Sequence, residues 1–153
     1  MAAIPPFLGD TTLPHPPQAV RDALIALEGV AKHMPDVTSV DRVDHRTLKL
    51  VVKPGFSFLR GTLRVTMTID ETEPGKQLVQ TAKSEGIGMS MTIESAITLE
   101  PIGDGAETRA SWEAKVVERK GLVSAVGPSL IQAAANKVLE DGWNAVRKTL
   151  AAG

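Results

Sequence analysis

The sequence has no cysteine and no tyrosine, and its aromatic residues are three phenylalanines and two tryptophans. Without cysteine there is no disulfide, no thiol nucleophile and no thiolate-bound zinc or iron–sulfur centre. A reducing interior suits such a chain. Positive charge is not in excess either, since 17 Lys and Arg stand against 18 Asp and Glu, a formal net charge of −1. Proteins that hold nucleic acid normally carry a basic surplus, so no nucleic-acid partner is expected. No segment approaches the roughly 18 consecutive apolar residues of a membrane-spanning helix. The start, Met1-Ala2-Ala3-Ile4-Pro5-Pro6, has neither the basic residues nor the apolar run of a signal peptide. The expectation is one cytoplasmic domain over residues 1–153, with an ordered core from about 7 to 151.

What is present is strong periodicity. Phe7 to Leu13 reads as a first strand, and Pro16-Pro17 opens a helix from about Gln18 to Leu27 with Val20, Ala23, Leu24 and Leu27 on one face. Gly29 should break it, leaving a second short helix from Val30 to Met34 that stops at Pro35. The period then changes to two. Val37–Val43 and Thr47–Lys53 predict strands joined at Asp44-His45-Arg46, with Leu48, Leu50 and Val52 on one face. Leu63, Val65, Met67 and Ile69 alternate with polar residues, and Pro74-Gly75 turns the chain into a strand from Gln77 to Glu85. Met89, Met91, Ile93, Ile97 and Leu99 follow, and beyond the turn at Gly103-Asp104-Gly105 come Ala110, Trp112, Ala114 and Val116.

The last element is a long amphipathic helix from about Pro128 to Leu150, roughly 35 Å at 1.5 Å per residue. Val123 to Val126 predict a lead-in turn before it. One sheet's worth of apolar face cannot make a sandwich. The predicted architecture is therefore α+β: a curved, antiparallel, seven-stranded sheet wrapped around a long C-terminal helix, with two short helices after the first strand. A sheet that grips a helix over part of its length leaves an apolar gap. The residues predicted to line that gap are Met34, Leu50, Leu63, Val65, Met89, Met91, Trp112, Ile131, Ala135 and Val138. Small residues such as Ala110, Ala114 and Ala134 leave volume unfilled among them, and flexible methionines adapt to apolar ligands of varied shape.

Motifs for catalysis are weak. Gly55-Phe56-Ser57-Phe58-Leu59 and Gly88-Met89-Ser90-Met91-Thr92 begin like a nucleophile elbow and lack its closing glycine. Gly86-Ile87-Gly88 lacks the third glycine and the helix of a dinucleotide site, so it reads as a hairpin or bulge. His15, His33 and His45 share no metal-ligand spacing, and the carboxylates fall on wet faces or in turns. No catalytic residue and no metal site is assigned. His33, ending the second short helix beside the gap, and Ser90 are the candidate polar contacts. Lys49, Lys53, Arg60 and Arg64 surround the hairpin that carries Phe56 and Phe58. A solvated strand face explains these cations. The sharper alternative makes Phe56, Phe58, Arg60 and Arg64 a contact surface for an anionic membrane or a protein partner.

Several local sequences, in this order, resemble the CoxG family (the carbon monoxide dehydrogenase G-subunit family) of the SRPBCC superfamily, which has the START/Bet v 1-like helix-grip fold. They are Pro16-Pro17-Gln18-Ala19-Val20, His33-Met34-Pro35-Asp36-Val37, Phe58-Leu59-Arg60-Gly61-Thr62-Leu63, Thr108-Arg109-Ala110-Ser111-Trp112-Glu113-Ala114 and Gly127-Pro128-Ser129-Leu130-Ile131. The resemblance implies an apolar cavity under the long helix, and an inward face without ionisable groups makes non-enzymatic binding of a quinone- or lipid-like molecule the expected function. The resemblance also implies an accessory role for a carbon monoxide dehydrogenase-type redox enzyme, at the inner face of the membrane. Many relatives continue past the long helix into a membrane-anchoring tail, whereas this sequence stops at Gly153. Two alternatives stand beside this reading. One is a polyketide cyclase- or dehydratase-like enzyme, which needs His33 or Ser90 as a buried acid–base group. The other is a protein–protein adaptor working through the Phe56/Phe58 hairpin.

Overall fold

The computed structural model describes residues 6–53, 61–86, 88–121 and 127–152, and within them the period-two segments become one sheet. The chain runs β1 (Phe7–Leu13), α1 (Pro17–Ile25), α2 (Leu27–Ala31), β2 (Val37–Asp44), β3 (Thr47–Val52), β4 (Leu63–Glu73), β5 (Gln77–Gly86), β6 (Met89–Ile102), β7 (Glu107–Gly121) and α3 (Pro128–Ala152). Strand order is β1-β7-β6-β5-β4-β3-β2, and every neighbouring pair is antiparallel. After β1, the two short helices carry the chain across to the far edge, and a meander brings it back until β7 pairs with β1. Tight connections close the meander. Gly75, at φ +71°, turns β4 into β5, and its amide donates to Glu71 at 2.7 Å.

Two boundaries depart from expectation. The break between α1 and α2 falls at Ala26, whose amide donates to Asp22 O at 3.0 Å, and α2 ends at Ala31 instead of reaching Met34. Gly29 lies inside α2 because α3 packs there. A Cβ on Gly29 would stand 3.6 Å from Thr149 Cγ2, and its carbonyl accepts from Thr149 Oγ1 at 3.4 Å. The Val123–Val126 turn and the segment holding Phe56, Phe58 and Arg60 lie outside the described residues.

The amphipathic stripe of α3 meets two separate apolar clusters. Its C-terminal half brings Trp143, Ala145 and Val146 against Leu13, Val20, Leu24 and Leu27, with Leu48, Ile69 and Leu99 from the sheet. Its N-terminal half brings Ile131 and Ala135 against Phe7, Leu63, Met89 and Ala114. Arg147 holds the far end to β1 through the Thr11 hydroxyl. α3 packs principally on α1, α2 and β1, so it stands away from the middle of the sheet and the two clusters do not merge.

One close approach shapes the floor between them. Gly9 of β1 pairs with Trp112 of β7, and a Cβ on Gly9 would lie 2.5 Å from Trp112 Cζ2. That missing side chain lets the indole lie flat across β1 and stack on Trp143 of α3, with centroids 5.1 Å apart and ring planes 26° apart.

Candidate functional site

Between sheet and α3 lies a cavity of about 260 Å³. The strand pleat determines its floor. On β6 the odd-numbered residues Met89, Met91, Ile93, Ser95 and Ile97 face it, and on β5 the even-numbered Gln80, Ala82 and Ser84 do. Leu50, Leu63, Val65 and Met67 extend the floor across β3 and β4, and Trp112 and Ala114 extend it onto β7. The roof is α3, through Ile131, Ala135, Val138, Leu139, Trp143 and Val146, and α2 with the following corner supplies Val30, Ala31 and Met34. All ten residues read from the sequence as cavity residues are on this wall.

The wall is hydrocarbon except at two places. At the mouth, Asp36, Lys137 and Asp141 stand beside Pro35 and Val138, which is 47% exposed. Lys137 Nζ donates to Asp141 Oδ2 at 2.8 Å, and that hydrogen bond holds the ammonium above its ordinary pKa, with the charges of Asp141, Asp36 and Glu140 adding to it. Asp36 is the one non-glycine residue with a positive φ, +69°, among the described residues. Asp tolerates that left-handed conformation better than most residues. Its carbonyl accepts from Lys53 N at 2.8 Å, which fixes the corner that frames the opening. The second polar place is deep, at Gln80, Ser84 and Ser95 on the floor.

The two expected polar contacts are elsewhere. Ser90 lies between Met89 and Met91, so the alternation that turns both methionines inward turns Ser90 to the outer face. His33 Nδ1 lies 3.1 Å from Gly29 O and 3.2 Å from Thr149 Oγ1. A carbonyl can only accept, so Nδ1 carries the proton and the ring clasps α2 to α3. Arg64 is exposed on the outer face of β4, opposite Val51 and Glu85, and Phe56, Phe58 and Arg60 lie outside the described residues. Sequence reasoning missed Gln80 and Ser95, although Ser95 interrupts the apolar row from Met89 to Leu99 and so carried a signal. It also missed the charges at the mouth, which only the meeting of α3 with the corner at Asp36 defines.

A second cleft, between α1–α2 and the β2–β3 hairpin, is lined by Arg21, Lys32, Arg42 and Arg46 together with Asp22, Glu28 and Asp44. Two of its four Lys and Arg side chains are paired with its own carboxylates. Arg21 binds Asp22 at 2.8 Å, and Lys32 lies 3.8 Å from Glu28. The apolar cavity is the better candidate. Among the described residues no helix is long and apolar enough to cross a membrane.

A model of the CoxG family, the G-subunit family of carbon monoxide dehydrogenase, matches residues 9–151. No curated protein matches the sequence. Among solved structures, a conserved protein from Geobacillus kaustophilus is similar, with a TM-score of 0.83 at 19% identity over 94% of this chain and 93% of that one. A START superfamily protein from Mycobacterium smegmatis gives 0.71 at 11% identity over 95% and 96%. A protein from Thermus thermophilus gives 0.71 at 16% identity over 97% and 98%. At these identities the likeness is one of fold, the START-like helix grip.

Proposed function

Because this chain belongs to the carbon monoxide dehydrogenase CoxG family, we propose that it binds an apolar small molecule, quinone- or lipid-like, between sheet and α3. The observation that carries this reading is the apolar cavity of about 260 Å³ lying between two core clusters. Leaving such a volume empty forgoes on the order of several kcal/mol of packing, which an apolar guest recovers. Size narrows the guest. A cavity of about 150 Å³ accepts benzene, so this one suits a bicyclic ring or a chain of about ten carbons. A longer tail leaves by the mouth at Pro35 and Val138. The ionisable wall residues, Asp36, Lys137 and Asp141, stand at that mouth, which suits holding a ligand rather than transforming it. His33 and Ser90, on which a cyclase-type reading rested, are off the wall.

The finer proposal follows the family's name. The protein serves a carbon monoxide dehydrogenase-type redox enzyme as an accessory, in the cytoplasm with peripheral contact at the membrane, and presents its ligand to that enzyme. Ligand binding is tested by native mass spectrometry of the purified protein and by titration with menaquinone analogues. Both tryptophans line the cavity and the chain has no tyrosine, so intrinsic fluorescence reports occupancy directly. Saturable quenching with one molecule bound per chain is the expected result. Unchanged emission with no bound mass defeats the reading. Co-purification with the redox enzyme's subunits tests the accessory role.

A further inference from the structure

We infer that the cavity selects ligands whose buried end carries a neutral oxygen, a carbonyl or hydroxyl, held by Gln80 and Ser95; the inference rests on the cavity-binding reading above. Gln80 of β5 and Ser95 of β6 are directly opposite each other in the antiparallel register, and both are on the cavity wall. Their neighbours in the same row are apolar, Ile69 on β4 beside Gln80 and Ala114 on β7 beside Ser95. Along the strands, Ala82, Ile93 and Ile97 flank the pair on the same face. Ser95 is 8% exposed, and neither it nor Gln80 has a side-chain hydrogen-bond partner among the described residues. Among the described residues the sealed side-chain atom without a partner is Arg46 Nη1, so the polar ends of Ser95 and Gln80 are reached from the cavity itself, and polar groups facing such an enclosed space are satisfied in the large majority of cases. Here Ser95, buried, and Gln80, half-buried, face the same cavity side by side, with Ser84 further along β5 the third polar side chain of the floor. A ligand supplies what the protein does not.

The donor and acceptor inventory defines the chemistry. The Gln80 amide offers two N–H donors and one acceptor, and the Ser95 hydroxyl offers one donor and accepts. A ketone or quinone oxygen accepts from both side chains. An alcohol or phenol donates to Gln80 Oε1 or Ser95 Oγ while accepting from the other. A carboxylate or phosphate fits poorly. The cation on the wall, Lys137, is at the mouth beside Asp141, so a charge carried to the floor would be desolvated without a counter-ion. Ligands that carry both kinds of group are therefore oriented, with the neutral oxygen inward and any charged group outward.

The test uses matched bicyclic probes that fit the cavity: tetralin, its ketone 1-tetralone, and tetralin-1-carboxylate, titrated calorimetrically into the intact protein. The ketone is expected to bind about tenfold more tightly than tetralin, the gain of one or two buried hydrogen bonds. The carboxylate is expected to bind more weakly than the ketone. Ser95→Ala and Gln80→Leu remove unpartnered polar groups, so both variants should fold with an unchanged or higher Tm. They are expected to erase the preference for the ketone, so that each variant binds tetralin and tetralone alike. Equal binding of tetralin and tetralone by the natural protein overturns the inference and leaves cavity binding standing. So does a preference that survives both substitutions, or a carboxylate that binds as tightly as the ketone. Failure of every probe to bind overturns the cavity reading as well. The comparison of probes on the natural protein decides the matter even where a variant does not fold.

Discussion

At the residue scale the clearest electrostatic device lies away from the cavity, where Arg21 of α1 forks onto Glu71 of β4. Its Nε donates to Oε2 at 2.8 Å and its terminal nitrogen to Oε1 at 2.9 Å, and the Gly75 amide adds a third bond at 2.7 Å. The Arg21 hydrogen bonds, followed by the Gly75 amide, pull the Glu71 carboxyl down from 4.5 to about 2. A carboxyl depressed by folding contributes stability that is fully present above the unfolded value and is lost as pH falls through the folded one. Stability is therefore expected to drop as pH falls from about 4.5 towards 2. Glu71→Gln should flatten that slope and lower stability at neutral pH, as read by urea unfolding at a series of pH values. An unaltered acid slope in the variant would show that another carboxyl carries it. The pair was not legible in the sequence, because 50 residues separate its members and no local pattern joins a residue of α1 to one of β4.

At the scale of elements, most of the fold was legible. β1 occupies the residues that alternation predicts, Phe7 to Leu13, and α3 begins at Pro128 as its stripe and N-terminal proline require. The short helices were harder. Glycine signalled a break at Gly29, yet packing of Thr149 against that glycine holds it inside α2, and the chain bends at Ala26 instead. The cavity is likewise a property of elements, since α3 brings its small residues over the middle of the sheet. Ala135, 7% exposed on the roof, is the natural place to fill it. Ala135→Leu is expected to weaken ligand binding at least tenfold while stability is unchanged or rises by about 0.5–2 kcal/mol, the usual return for filling a cavity. Calorimetry with tetralone and a thermal melt check both halves, and retained affinity would place the ligand elsewhere.

For the whole molecule, the two core clusters and the space between them make occupancy a stability matter. A ligand present at 100 times its Kd stabilises the folded state by about 2.7 kcal/mol. In a domain of this size that corresponds to about 5–10 °C in Tm. Differential scanning calorimetry with and without a menaquinone analogue should show that rise, and the shift should shrink in the Ala135→Leu variant. A Tm that ignores saturating ligand would mean the cavity is packed shut in solution.

Sequence alone determined the order of elements, the antiparallel meander, the long terminal helix and the ten apolar residues that lie on the cavity wall, because all but Met34, which marks the corner before Pro35, follow from a period of two or of 3.6 read locally. Tertiary structure alone decided where the polar groups meet. Ser95 opposite Gln80 depends on the β5–β6 register, the mouth depends on α3 reaching the Asp36 corner, and His33 was drawn off to Thr149 by the packing of α2 on α3. Periodicity tells which way a side chain faces. Only the packed chain says what it faces.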